Sequence, residues 1–295
     1  MPNRREADRV THGFPHRATV RASLTALYRR LSPDGVHRYP TSVPAAAVAL
    51  GDDEDLHLGT QRVAHALVRH LRLPEARMVV SFRPMEHAAT VELTAGPEYF
   101  VELNDRFRTR RRDIGAALAH EITHVLLHRL DLGFPDTADN EVLTDVVTAY
   151  LGAGWLLLDA YRRDGVESQK LGYLTPEEFG YVLAKRAEIF TEDPSPWFTS
   201  AVAYDAWVRG RAEAHRERTP PPLAGARWAD RRRYEWERRR GRASPDAPYA
   251  FDGGTAPATA VSFPCPVCCQ RLRIPAGRNL RARCGVCRTV LDCVT

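Results

Sequence analysis

His120 and His124 stand four residues apart in the run His120-Glu121-Ile122-Thr123-His124, within a stretch from about Arg110 to Leu130 that reads as one helix. At 3.6 residues per turn, this spacing sets both imidazoles on one helix face, one turn apart, where both can reach a single cation. Glu121 lies beside them and is placed to activate water. A second run, Asn140-Glu141-Val142-Leu143-Thr144-Asp145, follows at a short distance. Glu141 offers a third ligand, and Asp145, one turn further on, can accept a hydrogen bond from a ligating histidine. Any fold that uses both runs must turn the chain sharply between them. His128 extends the first run, but it lies eight residues from His120, about 12 Å of helix rise, too far for bonds near 2 Å to one metal. It is expected to be an ordinary helix residue or a wall of a cleft.

The surrounding pattern is that of a mixed α and β domain. Leu56–Leu71 has helical spacing and stops before Pro74. Three strand-like runs follow, Arg77–Phe82, Ala89–Thr94 and Tyr99–Leu103, the last two separated by Gly96-Pro97. Gly133-Phe134-Pro135 should end the first-motif helix. Thr137 or Asp139 is expected to cap the next helix, which runs to about Tyr161. Thr175-Pro176-Glu177-Glu178 is a capping box with proline at the first helical position, so a helix should begin there and run through Ile189. Another is expected over Phe198–His215. Earlier, a short helix near Ala18–Leu31 is expected to end at Ser32-Pro33-Asp34-Gly35, with a Pro/Ala-rich stretch and the acidic Asp52–Asp55 run after it. With 44% hydrophobic residues the chain can bury a core.

The C-terminal third differs in composition. All six cysteines lie after residue 264. Cys265-x2-Cys268 and Cys284-x2-Cys287, with 15 residues between the pairs, form a four-thiolate zinc signature rather than a disulfide framework. Arg271–Ile274 and Leu280–Arg283 alternate as strands, and Pro275-Ala276-Gly277 can turn the chain, so two knuckles flanking a hairpin are expected. Cys269 and Cys293 are spare, and either could replace a neighbour as ligand. Residues 227–242 and 265–295 each carry a net charge of +5, so the remainder sums to −5 against the chain total of +5. Alternation sets Arg271 with Arg273 on one strand face and Arg281 with Arg283 on another, candidates for contact with an acidic protein or a nucleic acid. Residues 216–262 are rich in Pro, Arg, Gly and Ala and read as a linker with one charged helical piece around Trp228–Arg240. The polar N-terminus lacks the apolar core of a secretory signal, and the longest uncharged run, Val146–Leu158, is too short for a bilayer. A cytoplasmic chain with no membrane segment is expected.

The pairing of His-Glu-x-x-His with a downstream Asn-Glu-x-x-Thr-Asp resembles the gluzincins, the thermolysin-like, glutamate-liganded branch of the zincin metallopeptidases. The C-terminal cysteines resemble a zinc ribbon. The first resemblance covers roughly residues 56–215 and is concentrated around the two runs. It implies an α+β zincin-like domain, with a short mixed or antiparallel sheet, the motif helix and following helices. It also implies His120, His124 and Glu141 as ligands of a catalytic Zn2+, Glu121 as general base, and Asp145 as partner of a ligating histidine. In that family a downstream histidine assists the transition state; here His215 is the only histidine after the motif helix, far along the chain. Tyr173, just before the capped helix, is the candidate to serve instead. The segment between His124 and Glu141 is also shorter than in the family, so the turn must be tight. The expected organisation is an N-terminal helix and linker over 1–55, the zincin-like domain over 56–215, the linker over 216–262, and the ribbon over 263–295 holding a structural Zn2+ on Cys265, Cys268, Cys284 and Cys287. The expected activity is peptide-bond hydrolysis of a protein or peptide substrate, by an intracellular regulatory protease of narrow specificity. The alternative is a nucleic-acid- or protein-binding adaptor acting through the basic linker and ribbon, with an inactive zincin scaffold.

Overall fold

The computed structural model describes residues 12–92, 98–163, 168–169, 171–252 and 254–295, with backbone alone for 162–163 and 168–169. The end of the expected second strand, the Gly96-Pro97 turn and the polar N-terminus fall outside these residues. The chain is α+β and divides into two compact units, Met1–Ser23 with Val36–Arg211, and Leu24–Gly35 with Ala212–Thr295. Helix α1 (Arg17–Val36) breaks at Ser32, φ 62° and ψ 165°, because Pro33 crowds the residue before it out of helical geometry. Its residues from Leu24 count with the second unit. Among the described residues no helix is long and apolar enough to cross a membrane.

In the first unit, α2 (Ala45–Val48) and α3 (Leu56–His70) precede a three-stranded sheet of β1 (Arg77–Arg83), β2 (Ala89–Val91) and β3 (Glu98–Asn104). The order is β1-β3-β2, with β1 parallel and β2 antiparallel to β3, so β2 lies at an edge. Met78, Val80 and Phe82 on β1 and Tyr99, Val101 and Leu103 on β3 are buried at every second position, as a sheet with one covered face requires. Helix α4 (Ile114–Arg129) packs against α3 and the sheet. From Ile114 to Leu127 every residue of α4 is buried except Glu121 and His124. The one polar opening in an otherwise apolar helix is therefore the first motif itself.

Helix α5 (Thr137–Tyr150) is capped by Asp136, whose carboxylate accepts from the Ala138 and Asp139 amides, rather than by Thr137 or Asp139. The single helix expected to reach Tyr161 is two, α5 and α6 (Gly154–Asp159). They part at Gly152, which takes φ +106°, and a Cβ there would lie 2.9 Å from the Ser42 Cα. Backbone passing that close admits only glycine. The two-residue strands β4 (Arg162–Arg163) and β5 (Ser168–Gln169) precede α7 (Pro176–Phe190), which begins with the expected capping box, both reciprocal bonds being present. Helix α8 (Ala201–Arg216) crosses α7 where Gly180 meets Gly210 and the Ala206 carbonyl, backbone against backbone.

The second unit contains α9 (Trp228–Arg240), β6 (Ala250–Asp252), β7 (Ala260–Pro264), β8 (Arg271–Pro275), β9 (Asn279–Arg283) and β10 (Val290–Val294). Residues 216–262, expected to form a linker, carry part of this unit's core. Tyr234, Tyr249 and Phe251 cluster with ring centroids 4.9–5.5 Å apart. Beneath them the buried Glu237 accepts from Tyr249 Oη at 2.9 Å, Ser244 Oγ at 2.9 Å and Arg233 Nε at 3.0 Å. Few aliphatics were needed because aromatic rings and a satisfied buried carboxylate fill the space. The strand pairing also differs from expectation. β8 pairs with β7 and β9 with β10, so each Cys-x2-Cys knuckle closes its own hairpin instead of flanking one between β8 and β9. The knuckle is itself the tight turn, and it joins the strands on either side of it.

Candidate metal centres

The first centre is assembled from α4 and α5. His120 Nε2 lies 3.1 Å from His124 Nε2 and 3.1 Å from Glu141 Oε2, and His124 Nε2 lies 3.4 Å from the same oxygen. Four-coordinate metal with bonds of 2.0–2.1 Å separates its ligand atoms by about 3.3 Å, so this triangle has the dimensions of one face of a tetrahedral site. The three side chains could hold a metal ion.

The opposite ring nitrogens are spoken for. His120 Nδ1–H donates to Asp145 Oδ1 at 2.8 Å. His124 Nδ1–H donates to Thr144 Oγ1 at 3.2 Å, since that hydroxyl spends its own proton on the Asn140 carbonyl at 2.9 Å. With both Nδ1 atoms committed to these partners, Nε2 is the nitrogen that each ring turns toward the shared point. Every polar residue of the second run therefore has a place. Asn140 fastens the α4–α5 turn, its Oδ1 accepting from the Phe134 amide at 2.7 Å and its Nδ2 donating to the Phe134 carbonyl. Glu141 faces the histidines, Thr144 orients one of them and Asp145 the other.

Asp145 is fully buried, and its second oxygen accepts from the amides of Tyr173 and Leu174. The loop at 171–174 can wrap it because Gly172 takes φ +89° and has no Cβ, which would stand 2.7 Å from both carboxylate oxygens. The same loop lays the Tyr173 ring near His120, centroids 6.2 Å apart and planes 26° from parallel. Burial opposes protonation of His120, but its bonds to Asp145 and Glu141 together outweigh this and push its pKa up to about 10. Burial likewise acts to raise Glu141, yet its bonds to the two histidines hold it at about 2. Glu121 is raised above the usual carboxylate range, chiefly by burial, which makes it a stronger base than an exposed glutamate.

These side chains open into a cleft of about 600 Å³. Its walls include Ala88–Val91 on and before the edge strand β2, together with Glu86, His87, Arg106 and Tyr173. His87 had no signal in the sequence, since it keeps no motif spacing to the histidines, and the β1–β2 connection brings it in. Arg106, brought in by the turn after β3, opens the arginine-rich run 106–112 that immediately precedes the motif helix, a run whose cations could meet an acidic substrate segment at the cleft rim. Of the arginine run 106–112, Arg106 alone reaches the cleft, and Arg111 is instead bound to the carbonyls of Gly51, Asp52 and Glu54. His128 is exposed and off the cleft.

The second centre brings together Cys265, Cys268, Cys284 and Cys287, all buried, which could also hold a metal ion. Cys265 and Cys287 Sγ are 3.6 Å apart, as are Cys268 and Cys284 Sγ. Bonds of about 2.3 Å in a tetrahedron separate sulfurs by about 3.8 Å, so the thiols are already near that spacing. The two knuckles share one backbone pattern. The Cys265 amide donates to Gln270 O and the Cys269 amide to Cys265 O; the Cys284 amide donates to Thr289 O and the Arg288 amide to Cys284 O. Cys269 and Arg288 occupy the same left-handed corner, φ 60° and 63°. Cys269 is thus the corner residue of its knuckle, and Cys293 is buried in β10; neither belongs to the cluster. Of the four ribbon arginines considered for partner contact, Arg273 is paired with Asp252 at 2.6 Å and Arg281 with its cross-strand neighbour Asp292 at 3.0 Å, while Arg271 and Arg283 are exposed.

Comparison of the chain with family models, with curated proteins and with solved structures finds no match.

Proposed function

We propose that the chain is a zinc-dependent metallopeptidase of gluzincin-like, zincin-type fold, a narrow-specificity regulatory protease of the cytoplasm, with a structural zinc in its C-terminal ribbon. The observation that carries the reading is the triangle of His120 Nε2, His124 Nε2 and Glu141 Oε2, with each imidazole steered by a different partner through its other nitrogen. Three protein ligands leave a coordination position open, as catalytic rather than structural sites do. Zinc bound there supplies a Lewis acid that polarises a carbonyl and acidifies water. Glu121, made more basic by burial, takes the proton from the attacking water and delivers it to the leaving amine nitrogen. The outer edge of β2 offers main-chain donors and acceptors to an extended peptide along the cleft wall. Tyr173, on the opposite wall beside His120, is the group in reach of charge developing on the carbonyl oxygen.

The test is Glu121→Gln. It should keep metal at the wild-type level, because Glu121 is not a ligand, and lose peptide hydrolysis by at least about 100-fold, the scale of general-base loss. Wild-type turnover by this variant would remove the hydrolase reading and leave the adaptor, in which the first unit is a scaffold.

A further inference from the structure

Helix α9 displays two tryptophans that no core requires. Trp228 is 70% exposed and Trp236 53% exposed. They alternate with arginines at every fourth position, Trp228, Arg232, Trp236, Arg240, so that each guanidinium lies over an indole. Arg232 Cζ is 4.8 Å from the Trp228 centroid and Arg240 Cζ 3.7 Å from that of Trp236. At 100° per residue, Trp228, Ala229, Arg232, Arg233, Trp236, Arg239 and Arg240 fall within a sector of about 140° that contains no acidic residue. Asp230, Glu235 and Glu237 fall outside it. Within that sector Arg233 and Arg239 pair with Glu237 and Glu235, which leaves Arg232 and Arg240 held by the indoles rather than by carboxylates.

Just past the helix end, Gly241 and Arg242 open a cavity of about 420 Å³ that also takes in Phe251, Phe263 and Arg271. Arg242 and Arg271 are both exposed. The second unit as a whole carries 18 arginines against 9 acidic residues, a net of +9, while the rest of the chain sums to −4.

We propose that this face of α9, continued into the cavity at its C-terminal end, binds single-stranded nucleic acid, with bases stacking on Trp228 and Trp236 and phosphates meeting Arg232, Arg240, Arg242 and Arg271. The inference does not depend on the peptidase reading. Flat aromatic surfaces about 12 Å apart along the helix, interleaved with cations, match a chain that alternates π faces with negative charge. A uniform polyanion would need the arginines alone, and an apolar partner would be repelled by them. A duplex keeps its bases stacked on one another and offers the indoles nothing. A membrane-surface helix would carry a broad aliphatic face, whereas the opposite side of α9 is occupied by Tyr234 and Glu237 in the core.

The experiment uses the full chain, with fluorescein-labelled oligothymidylate and oligouridylate of about 20 nucleotides, a duplex of the same length, and vesicles of phosphatidylglycerol and phosphatidylcholine. Single strands should bind more tightly than duplex, with affinity falling steeply between about 50 and 200 mM salt. The better of the two oligonucleotides identifies the natural ligand as DNA or RNA. Trp228→Ala with Trp236→Ala should weaken single-strand binding at least about tenfold with an unchanged melting temperature, since neither ring is in the core. Trp→Phe at both positions should restore most of the loss. Arg232→Gln with Arg240→Gln should flatten the salt dependence by up to about 1.4 in log–log slope, two phosphate contacts on a single strand. No single-strand binding at low salt, duplex bound equally well, binding unchanged in the double tryptophan variant, or binding confined to vesicles would each overturn the proposal.

Discussion

At the first candidate metal centre, His120, His124 and Glu141 are only half of the arrangement. Asp145 and Thr144 decide which nitrogen of each imidazole faces the point shared with Glu141, and Gly172 makes room for Asp145 to do so. Asp145→Asn and Thr144→Val should each leave three ligands in place yet weaken metal retention, by about 10–100-fold for the aspartate and nearer 10-fold for the threonine. Gly172→Ala should resemble Asp145→Asn, because its methyl group would enter the carboxylate's space. Chelator competition on purified protein measures all three, with His128→Ala as the control expected to match wild type. Equal retention in the wild type and Asp145→Asn would show that the orienting bonds do not matter.

Helices α4 and α5 read clearly from sequence because the polar residues of their two runs repeat at the helical period. Their ends were less legible. Asp136 caps α5, one residue before Thr137 and three before Asp139, and Gly152 splits a helix whose apolar run shows no break. Helix α9 shows a stronger override, since an arginine-rich segment with almost no aliphatics packs on Tyr249 and Phe251 through Tyr234 and buries Glu237. Burial tends to raise Glu237, but its bonds to Ser244, Arg233 and Tyr249 hold its pKa below the usual carboxylate range. The sign follows from that direction. The stabilisation is fully present above the unfolded-state pKa of about 4.3 and is lost as pH falls through the lower folded value. Glu237→Gln should therefore be less stable than wild type in thermal melts at neutral pH, and the gap should close in acid. A gap that widened in acid would contradict the assignment.

Over the whole molecule, two chemically distinct groups that could hold a metal ion lie in separate compact units, one with two nitrogens and an oxygen, the other with four sulfurs. Wild-type protein prepared without chelators should carry two metal equivalents per chain. His120→Ala should lose one and keep its ribbon folded. Cys284→Ser should lose the other and unstructure the C-terminal strands while sparing the first centre, because a ribbon this small depends on its metal to fold. Elemental analysis with circular dichroism of both variants checks this, and a single equivalent in wild type would count against two independent centres.

The three side chains that could hold an ion, Glu121 beside them, Asp145 as the partner of His120, the capping box at Thr175–Glu178 and the knuckle cysteines were all legible in the chain. Each is a short-range pattern in which spacing along the backbone maps directly onto a helix face or a tight turn. The fold class followed from the same local periodicities. What the linear pattern left undetermined depends on meetings between residues far apart. Thr144 became an orienting group only once α5 lay beside α4, and His87 and Arg106 reached the cleft through the β1–β2 connection and the turn after β3. Arg273 and Arg281 looked free until strand register set them against Asp252 and Asp292. The partner of β8 was open for the same reason, because alternation marks which face of a strand is buried but not which neighbour completes its hydrogen bonds.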